Sequence, residues 1–263
     1  VSAARRALTL LALAGLLGVL AVALLGPLLA GDPERIVDLP YAPPSGAHPL
    51  GTDEAGRDVL DRVLAGGREL VLVPLPATAL ATLLGVVLGV LGGYFGGVAD
   101  ALVSRVDYLL LGLPPVLVLL VVVNGWGYSP WTITAVVVLT GTPFVSRVTR
   151  TETQQAVRNG YVVTAFAGGH PHLAVITREL LPNIARPVLA DFGTRLAIAV
   201  TLTAAVGFLG FGSAGANWGA MISENVEGIR LTPWGVAAPA LLLGALTVGA
   251  NLGLDRLVGR VLR

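Results

Sequence analysis

The polar residues of this 263-residue chain gather in a few places. The densest is His48-Pro49-Leu50-Gly51-Thr52-Asp53-Glu54-Ala55-Gly56-Arg57-Asp58-Val59-Leu60-Asp61-Arg62, which mixes carboxylates, guanidinium groups and an imidazole. His170 and His172 flank Pro171, and Asp191 and Arg195 stand four apart inside an apolar run. None of these groups completes an enzyme site. Two histidines could begin a metal site, but no cysteine and no nearby carboxylate pair finishes it, so a polar turn is expected. His48 is expected to cap or bond backbone. Gly212-Ser213-Ala214-Gly215 lacks the Gly-x-Ser-x-Gly spacing of a nucleophile elbow. With no cysteine, disulfides, thiolate nucleophiles and Cys-ligated clusters are excluded. All 17 positive charges are arginine, so neither a GxxxxGK[ST] phosphate loop nor a Schiff-base lysine can exist. No catalytic residue, metal or cofactor is expected, and a net charge of +1 offers no basic surface to nucleic acid. Asp191 and Arg195 share a helical face, as an ion pair near a membrane interface or as part of a pathway.

The elements that carry these residues are apolar. Hydrophobic residues make up 54% of the chain and charged ones 13%, and the mean hydropathy is +0.80, values that fit a chain in lipid. A hydrocarbon core of about 30 Å needs roughly 20 apolar residues in a helix. Six runs approach that length: 7–30, 71–95, 101–123, 131–145, 187–212 and 234–254, the fourth being the shortest. The first exceeds the usual apolar stretch of a signal peptide, so a retained helix is expected. Alternating the loops puts eleven arginines on one side and five on the other, with Arg195 inside a span. The positive-inside rule then places both termini in the cytoplasm.

Three connections are long. In the first, expected outside, residues 33–47 hold five prolines or glycines and read as extended chain with turns. Thr52 or Asp53 can cap the helix that follows. Val59, Leu60, Val63 and Leu64 give that helix one apolar face, and Asp58 and Arg62 can pair across four positions. A helix lying on the membrane surface or a solvated linker helix is expected there. In the second, residues 147–186 on the inside, Gly168-Gly169 ends a short helix, Pro171 starts another, and Pro182 breaks it before the next span. The result is an elbow. Tyr161, Val162 and Phe166 would be bulky apolar groups on it that want a covering partner. The third connection, 213–233, holds Trp218, followed by Trp234; both suit the membrane–water interface or substrate contact.

At this point the chain resembles a known family. His48 to Leu60 with Arg62 is similar to a motif of ABC importer permeases, in particular the second permease subunit of dipeptide, oligopeptide and nickel importers. Gly93-Tyr94-Phe95-Gly96-Gly97, Asp100 and Arg105 follow the family pattern, while Asp107 sits one residue tighter than it. Residues 161–183 resemble the EAA loop, in which a short coupling helix docks on an ATPase subunit. Tyr161, Val162, Ala165, Ala167, Gly169, Ile176, Arg178, Leu181, Pro182 and Asn183 match, whereas the signature glutamate is Val163 and the first signature alanine is Thr164. Phe208, Leu209, Gly210, Gly212, Trp218, Gly219 and Trp234 match the last part, so the resemblance covers about 46–255.

The resemblance implies an all-α membrane protein with six transmembrane helices, the type I ABC importer permease fold. It implies a first unit, 1–68, made of one span and the outer loop, and a five-helix core, 69–263, carrying the coupling loop at about 151–183. The implied site residues are the outer motif Gly51, Thr52, Asp53, Gly56, Arg57 and Asp58, and the coupling loop Tyr161, Val162, Val163, Thr164, Ala165, Phe166, Gly169, Leu181 and Pro182. The implied partners are a second permease, two ABC ATPases and an extracytoplasmic solute-binding protein, in the cell membrane of a bacterium. The implied cargo is a dipeptide or oligopeptide, with nickel or a metallophore as the alternative. A self-contained transporter is disfavoured, since the chain shows neither a buried acidic relay nor an ion filter.

Overall fold

A computed structural model describes the backbone of residues 2–212 and 215–261; side chains at 2–13, 161, 163, 166, 167 and 252–261 lie outside the description. Ser213 and Ala214 lie outside it altogether. The described residues are helical, with two isolated antiparallel bridges, Ile36 to Arg57 and Thr52 to Asp58, and no strand.

The apolar runs become long helices because lipid leaves the backbone no other hydrogen-bond partner. They are α1 (Ser2–Leu29), then, after α2 (Val59–Ala65) and the single turn α3 (Glu69–Leu72), α4 (Pro74–Phe95). α5 (Gly97–Leu111), α6 (Pro115–Trp126) and α7 (Pro130–Val157) follow. α8 (Gly160–Ala167) and α9 (His172–Ala174) form the elbow, a π-helical turn Val175–Leu180 leads into α10 (Leu181–Phe208), and α11 (Trp218–Asn225) and α12 (Trp234–Val261) complete the chain. Among the described residues, four helical stretches are long and apolar enough to cross a membrane, and a fifth if α5 and α6 count as one bent span; Ala14–Leu29, the part of α1 whose side chains are described, is apolar as well.

Two expectations about the spans change. The run 101–123 is not one straight helix: α5 and α6 meet at 79°. Gly112-Leu113-Pro114-Pro115 lies inside the run, and a proline pair denies the backbone both a donor and the helical geometry before it. The fourth run is not a short helix, since α7 has 28 residues and carries its polar C-terminal half, Ser146 to Gln155, beyond the apolar stretch.

α4 and α7 form the tightest seam. Gly85, Gly89 and Gly93 recur every four residues on α4, and an added Cβ at each would lie 2.5–2.7 Å from atoms of Val145, Ser146, Thr149 or Thr153 on α7. Such small-residue stripes let two backbones approach closely in lipid. Beside the seam, Asp107 of α5 is buried and accepts a 2.7 Å hydrogen bond from Ser146. Asp100, at the start of α5, pairs with Arg150 of α7. One apolar cluster joins α1, α2, α3, α10, α11 and α12 around Val59, Leu70, Val200 and Trp218; another joins α4, α6, α7 and α10 around Ala77, Leu119, Ile133 and Leu202.

Pro182 does not interrupt the chain. His172 to Phe208 is one continuous 37-residue helix. The turn before Pro182 widens into π geometry, Leu181 N–H donating five residues back to Ile176. That widening accommodates a ring that offers no N–H and would crowd a normal α turn.

Candidate functional site

The outer motif folds into a buried ionic clamp. Gly51 (φ +75°) and Gly56 (φ +81°) turn the backbone through the left-handed region, and a side chain at either would run into a carbonyl oxygen, of Ala42 or Asp38. These turns wrap the chain around Asp53, which is fully buried. Its Oδ1 accepts the N–H groups of Ala55 (2.9 Å) and Arg57 (2.8 Å), while Oδ2 accepts Arg57 Nε and Arg62 Nη1, both at 2.7 Å. Arg62 Nη1 also donates to Glu224 of α11 at 2.6 Å, and Arg57 reaches Glu224 and Glu34. Thr52 donates to the Leu39 carbonyl at 2.7 Å and accepts the Ala42 N–H.

Several details differ from the sequence-based expectation. The cap of α2 is Asp58, which accepts the N–H groups of Leu60 and Asp61, and neither Thr52 nor Asp53 fills that role. Asp58 does not pair with Arg62; its other oxygen lies 2.7 Å from His48 Nδ1. The reason is competition, because the fully buried Asp53 and the partly exposed Glu224 already hold the Arg62 guanidinium. Nor does α2 lie free on a surface: Val59, Arg62 and Val63 are buried against the bundle. Trp218 is fully buried too, its Nε1 donating to the Val63 carbonyl at 2.7 Å, so it locks α11 to α2 and does not anchor an interface. Trp234 is 42% exposed. The partners missed from sequence are Glu224 and Asn225, the latter accepting the Glu54 N–H at 3.0 Å; both stand more than 160 positions from their counterparts.

Partial burial, and after it the Glu224 carboxylate, raise the pKa of Glu54, with Arg57 opposing. The folded state therefore binds this proton more tightly than the unfolded chain, and stability is lost as the pH rises through the pKa. Glu54→Gln is expected to raise the melting temperature slightly at neutral pH, with the gain vanishing once acid protonates the wild-type group. A gain that persists or grows in acid would contradict this.

The elbow is built at the opposite ends of α4, α7 and α10. Gly169 (φ +75°) closes α8 as expected, with Gly168 N–H donating to Thr164 and His170 N–H to Ala165. His172 sits 3.0 Å from the Tyr94 hydroxyl and edge-on to its ring, as part of a polar contact and not of a metal cluster. Among the described residues no group of three or more His, Cys, Asp or Glu could hold a metal. Val162 is 1% exposed, so this residue is covered by the chain's own helices and is not left for a partner. The side chains of Tyr161, Val163 and Phe166 lie outside the described residues. Thr164, Gly168, Gly169 and Pro182 are exposed, Ala165 and Leu181 half-buried. Leu181 packs with Val90, Ala156, Leu180 and Ile184, which ties the elbow to the α4–α7 seam.

Residues 85–263 match the family model described as binding-protein-dependent transport system inner membrane component. The probable D,D-dipeptide transport system permease protein of Escherichia coli K12 is 29% identical over 230 residues, 86% of this chain and 77% of that protein. The dipeptide transport system permease protein of the same organism is 34% identical over 227 residues, 83% and 76% of the two chains. Among solved structures, an inward-facing form of the MetNI methionine ABC transporter superposes with a TM-score of 0.60 at 16% identity, covering 74% of this chain and 93% of that one. Several apolar helices, this fold and the family model agree on a multi-pass membrane protein, and the chain belongs to the family of binding-protein-dependent transport system inner membrane components.

Proposed function

We propose that the chain is one of two permease subunits of an ATP-driven importer in a bacterial cell membrane and carries peptides handed over by an extracytoplasmic binding protein. What supports the cargo class is the similarity to dipeptide permeases over most of both chains. In this reading the chain crosses the membrane six times with both termini inside, residues 1–68 forming an appended span and outer loop and 69–263 the core. The second permease completes the pathway, and two ATPase subunits bind below. ATP hydrolysis belongs to those partners, and no nucleic acid is involved.

The elbow carries the coupling. Its position at the start of the continuous helix that ends at Phe208, with Thr164, Gly168 and Gly169 exposed and Ala165 half-exposed between them, supports a docking role for residues 160–183. Val163 stands where related loops carry a glutamate, so the contact is by shape and packing.

Ala165→Arg tests this. The helix tolerates arginine, so the chain is expected to fold and to co-purify with the second permease and the ATPases. Uptake into proteoliposomes is expected to fall at least about tenfold, the loss that about 1.4 kcal/mol of coupling free energy represents, with ATP hydrolysis continuing uncoupled. Unchanged uptake would refute the coupling role. A purified assembly that imports without any ATPase would refute the whole reading.

A further inference from the structure

Where α4, α6, α7 and α10 meet, a cleft of ≈ 80 Å³ is lined by Thr78, Pro115, Thr140, Phe144, Arg195 and Ile198, among others. It shares Pro115, Ile198 and Leu202 with a wider cleft of ≈ 400 Å³ along α10 that takes in Thr194, Thr201 and Asn251. Together they put a polar stripe of Thr194, Arg195 and Thr201 along α10, in walls that are otherwise apolar.

Arg195 is the charged group of this stripe. Its side chain is 17% exposed, and its guanidinium carbon lies 4.4 Å from the centre of the Phe144 ring. Nε and Nη2 reach Asp191 at 3.2–3.3 Å, slacker than the 2.6 and 2.7 Å bonds of Arg62, and this contact leaves Nη1 over. Arg195 lies about four turns into α10, roughly 20 Å from either end of that helix. An ionisable group at that depth is costly unless it faces a cavity or a ligand. A second observation points the same way. The Thr78 hydroxyl, on the wall of the same cleft, is 1% exposed and has no hydrogen-bond partner among the described residues. Buried polar groups are normally paired, so this hydroxyl keeps unused bonding capacity just behind the cleft wall.

We propose that the joined clefts are a cargo-contact site in the translocation pathway, where Arg195 takes the terminal carboxylate of a passing peptide. This rests on the reading of the chain as a peptide permease. A carboxylate matches a guanidinium in geometry, and Phe144 and Ile198 offer apolar surface to the residues behind it. Asp191 competes for the same guanidinium, so the contact is weak. Transport requires such weakness, since a tight site would hold its cargo.

The chain has no cysteine, so a single Ile198→Cys gives it one reporter on the wall shared by both clefts. The complete importer in proteoliposomes is labelled with an anionic sulfonate and a cationic trimethylammonium methanethiosulfonate, each normalised to a free thiol. The expected result is a preference of about threefold to tenfold for the anionic reagent, the size of one nearby charge in a wet cleft. Arg195→Gln is expected to remove the preference and Arg195→Lys to keep it. A dipeptide with a free carboxylate is expected to slow labelling, and its C-terminal amide to leave the rate unchanged. Absence of labelling, a preference that survives Arg195→Gln, or equal protection by acid and amide would each overturn the proposal. The peptide reading is judged separately, by uptake of labelled dipeptide through the wild-type complex. If that uptake is absent, the reading fails, whatever charge preference the reporter shows.

Discussion

Asp53→Ala is expected to cost about 3–5 kcal/mol of stability, the range found when one member of a buried charge pair is removed. The carboxylate is fully buried and accepts four hydrogen bonds, two from backbone N–H groups and two from guanidinium groups. Removing it leaves Arg62, whose side chain is 2% exposed, facing Glu224 alone, while its Nε already has no hydrogen-bond partner among the described residues. Asp53→Asn keeps an oxygen for the backbone donors and is expected to lose less. Adding Arg62→Met to Asp53→Ala is expected to recover part of the loss, because the stranded charge goes with it; the double mutant then falls short of the sum of the singles. Melting of the solubilised protein measures all four. A cost for Asp53→Ala below about 1 kcal/mol, the size of an exposed pair, would show that the clamp is solvated.

The second large effect is expected where propensity predicts the opposite. In a helix interior, Gly→Ala normally gains about 0.5–1 kcal/mol. At Gly89 the added methyl would lie 2.6 Å from the Ser146 carbonyl oxygen and from Thr149 Cβ, and 2.9 Å from the Arg150 nitrogen. Two of these three atoms are backbone, so no rotamer change relieves the contact and α4 and α7 must separate. Overpacking of this kind costs about 1–3 kcal/mol, which reverses the sign, and Gly89→Val is expected to cost more. Gly18, in α1 with nothing within 4 Å of its added Cβ, is the control at which alanine is expected to stabilise. Equal responses at the two positions would mean that the seam is not close-packed.

The existence of the helices was legible because lipid-length apolar runs have one outcome. Gly169 was legible as the end of a helix because few other residues accept its φ value, whereas the turns at Gly51 and Gly56 were not read from the sequence. What was not legible depends on distance along the chain or on competition. Asp58 and Arg62 stand at ideal helical spacing, yet the guanidinium goes to Asp53 and Glu224, and spacing cannot show a competitor 162 positions away. The two prolines at 114 and 115 were visible inside an apolar run, but hydropathy outweighed them; at the bend, the backbone geometry prevailed. Trp218 illustrates the same limit. Composition suits it to an interface, and a backbone carbonyl from α2 draws it into the core.

The unbroken helix from His172 to Phe208 is a lever. At 37 residues it is roughly 55 Å long, so a tilt of about 10° pivoting at one end sweeps the other through roughly 10 Å. Its far end is not free to swing alone. An added Cβ at Gly207 would lie 2.6 Å from Asn217 Oδ1 and 3.0 Å from the Ala220 nitrogen, so the tip is seated against α11. α11 in turn carries Glu224, clasped by Arg57 and Arg62. If the elbow couples as proposed, a small displacement there would be geared to the ionic clamp at the opposite end of the molecule, and the stiffness of that clamp would set how much of the stroke is delivered and how much is lost as local bending.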